Sequence, residues 1–96
     1  MVAVTLFVRR EDPRCVRARN LLQRRGARLT LVDVTDSPER LAEMIARSGG
    51  QRAPPQIFLD GRYLGGLDEL IDMEERGALE WVLDGGQSSG VGAPSA

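Results

Sequence analysis

Leu6-Phe7-Val8-Arg9-Arg10-Glu11-Asp12-Pro13-Arg14-Cys15 is the stretch that decides how this chain is read. It opens on the end of an apolar, β-branched run, Val2 to Val8, which reads as a buried strand. Arg9-Arg10-Glu11 is then a polar loop. Asp12-Pro13 starts a helix. A carboxylate at the N-cap accepts from free backbone N–H groups, and proline at the first helical position lacks an N–H that would find no helical partner there. The helix is expected to run to about Arg25, with Gly26 as its stop. Cys15, Ala18 and Leu22 share one face at helical spacing, which turns Cys15 at least partly inward. Arg17 and Arg24 fall on the opposite side.

Outward from this unit the pattern repeats. Leu29 to Val34 reads as a second strand. Ser37-Pro38 starts a second helix by the same logic, carries Leu41, Met44 and Ile45 at core spacing, and ends near Ser48-Gly49-Gly50. Gln51 to Pro55 is a loop, Gln56 to Leu59 a third strand, Asp60-Gly61 a hairpin turn and Arg62 to Leu64 the returning strand. Gly65-Gly66 breaks it. Asp68, as N-cap, opens a third helix to Glu75, with a continuation from Ala78 to Leu83 after Gly77. The order is β-α-β-α-β-β-α. A helix between the first two strands makes them parallel, with a right-handed crossover, and the hairpin makes the last pair antiparallel. The fold class is therefore α/β, a mixed four-stranded sheet with helices on both faces. Residues 1–84 form the expected domain. Residues 85–96 are Gly/Ser-rich with no apolar period and read as a flexible tail.

Composition narrows the function. A length of 96 residues suits one domain with one modest core. The net charge of −1 points to no polyanionic partner, and only four aromatic residues and no recognisable motif argue against nucleic-acid binding. All thirteen basic residues are arginine, and eight lie between Arg9 and Arg28, whereas acids dominate from Asp60 to Asp84. Such asymmetry either creates a local field that attracts an anion or is a solvated mixed-charge surface. Cys15 is the single cysteine and there is no histidine, so neither an internal disulfide nor a metal site is expected. The run from Met1 to Val8 is too short to cross a membrane and has no basic region before it. The expected location is the cytoplasm, with no membrane partner.

Three local motifs in this order resemble the glutaredoxin family, over about residues 2 to 83. Asp12-Pro13-Arg14-Cys15 falls after the first strand, where the family carries Cys-Pro-Tyr-Cys. Pro54-Pro55-Gln56-Ile57-Phe58-Leu59-Asp60-Gly61 resembles the family's Thr-Val-Pro-Gln-Ile-Phe-Ile stretch. Tyr63-Leu64-Gly65-Gly66-Leu67-Asp68-Glu69 resembles its Gly-Gly-Cys/Ser-Asp-Asp turn. The resemblance implies a thioredoxin fold, with Pro55 as the cis-proline beside the site. It implies glutathione as co-substrate and glutathione or a glutathionylated protein as partner. The cysteinyl backbone of glutathione would pair with Pro54. Its γ-glutamyl end would sit at Leu67 and Asp68, where N–H groups opening a helix hold a carboxylate. Its glycine carboxylate would meet Arg9, where the family often has lysine; the other reading of Arg9 is an ordinary loop charge.

Two departures from the family set the question. Asp12 stands where the nucleophilic cysteine belongs. There a thiolate is stabilised by the helix N-terminus and attacks a disulfide sulfur. A carboxylate suits the same field and caps the helix, but it forms no mixed disulfide. As a general base it would be weak, because the helix N-terminus favours its charged form. Pro54 is the second departure, since proline has no N–H to offer the ligand, a net effect on the order of 1 kcal/mol. The loop before it is one residue longer than the common pattern, which leaves either Gln51 or Arg52 to face a ligand. Cys15 occupies the family's second cysteine position, either as the working thiol or as a buried small hydrophobe. Three functions follow. One is a glutathione-linked thiol–disulfide oxidoreductase acting through Cys15, with the standard activity attenuated or lost. Another is a non-catalytic module that binds glutathione, a peptide or a protein partner in the old groove. An iron–sulfur carrier is disfavoured, because that use needs the missing leading cysteine. Trp81 reads as a packing residue of the last helix.

Overall fold

A computed structural model describes residues 2–86. Its elements run β1 (Ala3–Val8), α1 (Pro13–Arg24), β2 (Arg28–Asp33), α2 (Pro38–Arg47), β3 (Gln56–Leu59), β4 (Arg62–Gly65), α3 (Leu67–Glu75) and α4 (Leu79–Leu83). The tail expected over 85–96 lies outside the described residues from 87 onward.

The strand order is β2-β1-β3-β4. β1 and β2 are parallel, with Leu6 beside Leu31. β1–β3 and β3–β4 are antiparallel. Period-two alternation divides the core between the two faces. Val4 and Leu6 of β1 and Ile57 of β3 point to one side, where Ala18, Leu21 and Leu22 of α1, Leu67, Leu70 and Met73 of α3, and Leu79, Val82 and Leu83 of α4 cover them. Phe7 and Phe58 point to the other side and meet Val34 and Met44 of α2's layer. Their rings stand edge to face at 5.5 Å. Each fully buried side chain of this kind contributes roughly 1.5–3 kcal/mol, so the two clusters clamp the sheet between helices on both faces.

The helix starts follow their cap chemistry, with one correction. Asp12 has extended backbone and its side chain accepts from the Arg14 N–H; Ser37 does the same for Arg40 N–H in α2. Asp68 is not the N-cap of α3. That position is Gly66, and the helix begins at Leu67. The reason is Glu69, whose Oε1 accepts from the Gly66 N–H at 2.7 Å and sets the cap two residues earlier. The last two helices are also separate, because Gly77 adopts φ +73° between them. Trp81 is 53% exposed, with its ring against Gly86, so it packs less than expected.

Candidate functional site

The N-terminus of α1 holds the first group of residues. Asp12 is half-buried, and its Oδ1 lies 2.9 Å from the Arg14 nitrogen. That bond satisfies one of the N–H groups a helix leaves free at its start. One turn further in, Cys15 is 2% exposed. Its Sγ accepts from the Arg9 N–H at 3.3 Å. Burial pushes the Cys15 thiol pKa up, and the nearby Asp12 charge pushes the same way. The Arg9 N–H and the charges of Arg9 and Arg14 oppose this, and burial prevails. The thiol is therefore sheltered and its protonated form favoured, which suits packing better than attack.

The loop that carries Arg9 is pinned from the side. Arg10 pairs with Asp33 at 2.8 Å and with Asp36, and its N–H donates to the Thr35 hydroxyl. Thr35 in turn donates twice to Asp33. These bonds, led by the Thr35 hydroxyl and N–H, hold the Asp33 carboxyl at about 2. The network fixes the approach to Asp12 without touching it.

The second group gathers around the cis peptide bond between Pro54 and Pro55. Both prolines are buried. A cavity of about 260 Å³ opens beside Pro55 and is lined by Arg14, Gln51, Gln56, Tyr63, Leu67 and Asp68, among others. Leu67 and Asp68 bring the first N–H groups of α3 to this cavity, where an anion is favoured. Gly66 eases the close approach, because a Cβ there would lie a tight 3.2 Å from the Pro55 carbonyl oxygen.

The structure thus brings Pro55, Leu67 and Asp68 to one groove. Cys15 and Arg9 line a different cavity, of about 220 Å³, with Val8, Val16 and Leu31. Pro54 lies buried next to the groove wall; Asp12 lines neither cavity and bonds to the N–H of Arg14, whose residue lines the groove. Of the two loop candidates, Gln51 lines the groove and Arg52 does not.

Two wall residues escaped the sequence reading. The Gln56 amide donates to the Ala53 carbonyl at 2.8 Å and accepts from the Tyr63 hydroxyl at 2.6 Å. This locks the loop ahead of the cis bond to β4. The signal was a buried glutamine in an otherwise apolar strand, since buried polar groups need partners. Tyr63 sits opposite Phe58 across a bulge that leaves Leu64 unpaired, so its partner was not readable from spacing.

Known proteins share this fold. The family model described as Glutaredoxin matches residues 4–64. Glutaredoxin 3 of Escherichia coli K12 is 34% identical over 83 residues, which cover 86% of this chain and 99% of that protein. The solution structure of a glutaredoxin from Brucella melitensis is 40% identical, with a TM-score of 0.78 over 91% of this chain and 94% of that one. A buckwheat glutaredoxin–glutathione complex shares the fold, with a TM-score of 0.75 at 24% identity over 86% and 77% of the two chains.

Proposed function

This chain belongs to the glutaredoxin family, and from that premise we propose that it keeps the glutathione groove while the standard thiol–disulfide reaction is lost or strongly attenuated. The family's role is thiol redox chemistry with glutathione. That reaction needs a thiolate at the N-terminus of α1, attacking the sulfur of a glutathione mixed disulfide and releasing the other thiolate. Asp12 stands there instead, and a carboxylate makes no sulfur–sulfur bond.

The observation that carries this reading is the burial of Cys15, the chain's single sulfur nucleophile, at 2% exposure. The cavity at Pro55 supports the binding half. Glutathione would lie there with its γ-glutamyl carboxylate at the Leu67 and Asp68 N–H groups. The missing Pro54 N–H would weaken that binding by on the order of 1 kcal/mol. In this role the protein would act as a binding module for glutathione or a glutathionylated protein. No metal is part of the reading, and among the described residues no group of three or more acidic or cysteine side chains could hold one. No described helix is long and apolar enough to cross a membrane; a cytoplasmic setting is part of the proposal.

A second reading keeps Cys15 as a displaced nucleophile, favoured by the Arg9 N–H that donates to its sulfur. One experiment separates the two. The protein is incubated with oxidised glutathione and weighed intact, and backbone amide shifts are followed during a titration with reduced glutathione. Shifts at Leu67 and Asp68 without a covalent adduct support a groove without chemistry. An adduct that disappears in Cys15→Ser establishes the displaced nucleophile. No shift at all would remove the groove.

A further inference from the structure

Helix α1 carries Arg14, Arg17, Arg19 and Arg24 and no acidic residue. Arg14, Arg17 and Arg24 are exposed and fall at i, i+3 and i+10, on one side of the helix. Four arginines outside α1 are used internally, in ion pairs. Arg10 pairs with Asp33 and Asp36, Arg25 with Glu74 and Glu80, Arg47 with Glu43, and Arg76 with Asp72. Arg14 and Arg17 have no such side-chain pair among the described residues. Arg24 senses Glu74, but that carboxylate is already taken by Arg25.

The placement also runs against local helix physics. Arg14 and Arg17 put positive charge in the first half of α1, near the positive end of the helix dipole, where acids are favoured. Departures of this kind from local consistency are expected where a surface serves a partner. Beside α1 packs α3, which carries Asp68, Glu69, Asp72, Glu74 and Glu75 and no base. A long polyanion or a flat anionic surface laid over α1 would meet these carboxylates. A short acidic segment confined to α1 would meet at most Glu74, whose charge is already held by Arg25.

We propose that the Arg14–Arg17–Arg24 stripe docks a short acidic segment of a protein partner, and that Arg14, at the groove wall, leads that segment toward the site. This deepens the groove reading by naming the class of partner, and it rests on that reading only for what happens beyond Arg14.

The test is a titration of the full chain with a fluorescein-labelled hexaglutamate peptide at low salt, its hexaglutamine counterpart alongside. The expected result is saturable binding of the acidic peptide alone, weakening as salt rises. Arg17→Glu with Arg24→Glu should lower the affinity at least about tenfold, and Arg17→Gln with Arg24→Gln by a smaller factor. Arg40→Glu on α2 should leave it unchanged. Circular dichroism checks that each variant is folded. Equal loss in Arg40→Glu, or no binding by the parent, would overturn the proposal. So would tighter binding of an oligothymidine or of phosphatidylserine vesicles than of the peptide. A parallel titration with glutathione keeps the two ideas apart. The stripe variants should still bind it, and if the parent binds the acidic peptide but not glutathione, the groove reading fails while the stripe stands.

Discussion

The two halves of the candidate site differ in what holds them. One half, built from Pro55, Gln56 and the Gly66–Glu69 turn, is held by backbone requirements and buried hydrogen bonds. A Cβ at Gly66 would lie a tight 3.2 Å from the Pro55 carbonyl oxygen, and Gln56 is satisfied at both ends of its amide. The other half, the start of α1, is held by a capping bond that aspartate makes as well as any residue. Exchanging a cysteine for Asp12 there removes a nucleophile and costs the helix nothing. The contrast teaches that in this fold the walls of the proposed groove and the start of α1 rest on separate supports, which is what the proposed function requires.

The largest expected effect comes from restoring the missing atom. Asp12→Cys places a thiol at the N-terminus of α1, where the dipole favours its thiolate. Glutathione-dependent reduction of a glutathionylated peptide should rise by on the order of 100-fold or more over the parent. No gain would mean that the groove half has also been lost. Next is Gly65→Val. Gly65 has φ +142°, and a Cβ there would lie 2.6–2.8 Å from the Glu69 side chain that holds the Gly66 N–H. Denaturant unfolding should show a loss of about 2–4 kcal/mol, with the glutathione-induced shifts at Leu67 abolished. A variant as stable as the parent would break the claim that this half is held by its backbone.

Smaller effects sharpen the other half. Asp12→Ala removes the cap and should cost about 1 kcal/mol, read by the same unfolding curves, with no change in glutathione affinity. Cys15 should react with a maleimide far more slowly in the folded protein than in denaturant, because burial both hides it and raises its pKa. Equal rates would return Cys15 to the list of nucleophiles. The smallest effect concerns the loop beside Arg9. Asp33 has its folded pKa lowered from 3.8 to about 2, so its contribution is present above the unfolded value and is lost as pH falls through the folded one. Asp33→Asn should lower the melting temperature slightly at neutral pH, where the contribution is present, and flatten its fall between about pH 4 and about pH 2.

Most of the scaffold was legible because local and global signals coincide. Asp12-Pro13 and Ser37-Pro38 set two helix starts by cap chemistry alone, and Asp60-Gly61 set the hairpin. The start of α3 was misread because the capping group is not the acid in sequence but Glu69 reaching back to Gly66. The separation of Arg9 and Cys15 from the groove was also hidden. Both positions lie close to Asp12 in sequence, and only the packing of β1 against α1 turns them to a second cavity. The groove wall was half visible. The family resemblance implied Pro55, Leu67 and Asp68, whereas the bond between Gln56 and Tyr63 depends on a bulge in β4 that no periodicity announces.

The most direct test of this separation measures binding and turnover in the same pair of proteins. The affinity for S-methylglutathione, which forms no disulfide, is taken by calorimetry for the parent and for Asp12→Cys, and the reduction rate is taken beside it. The account predicts equal affinities and turnover in Asp12→Cys alone. Turnover by the parent, or an affinity that appears only with the restored cysteine, would contradict it.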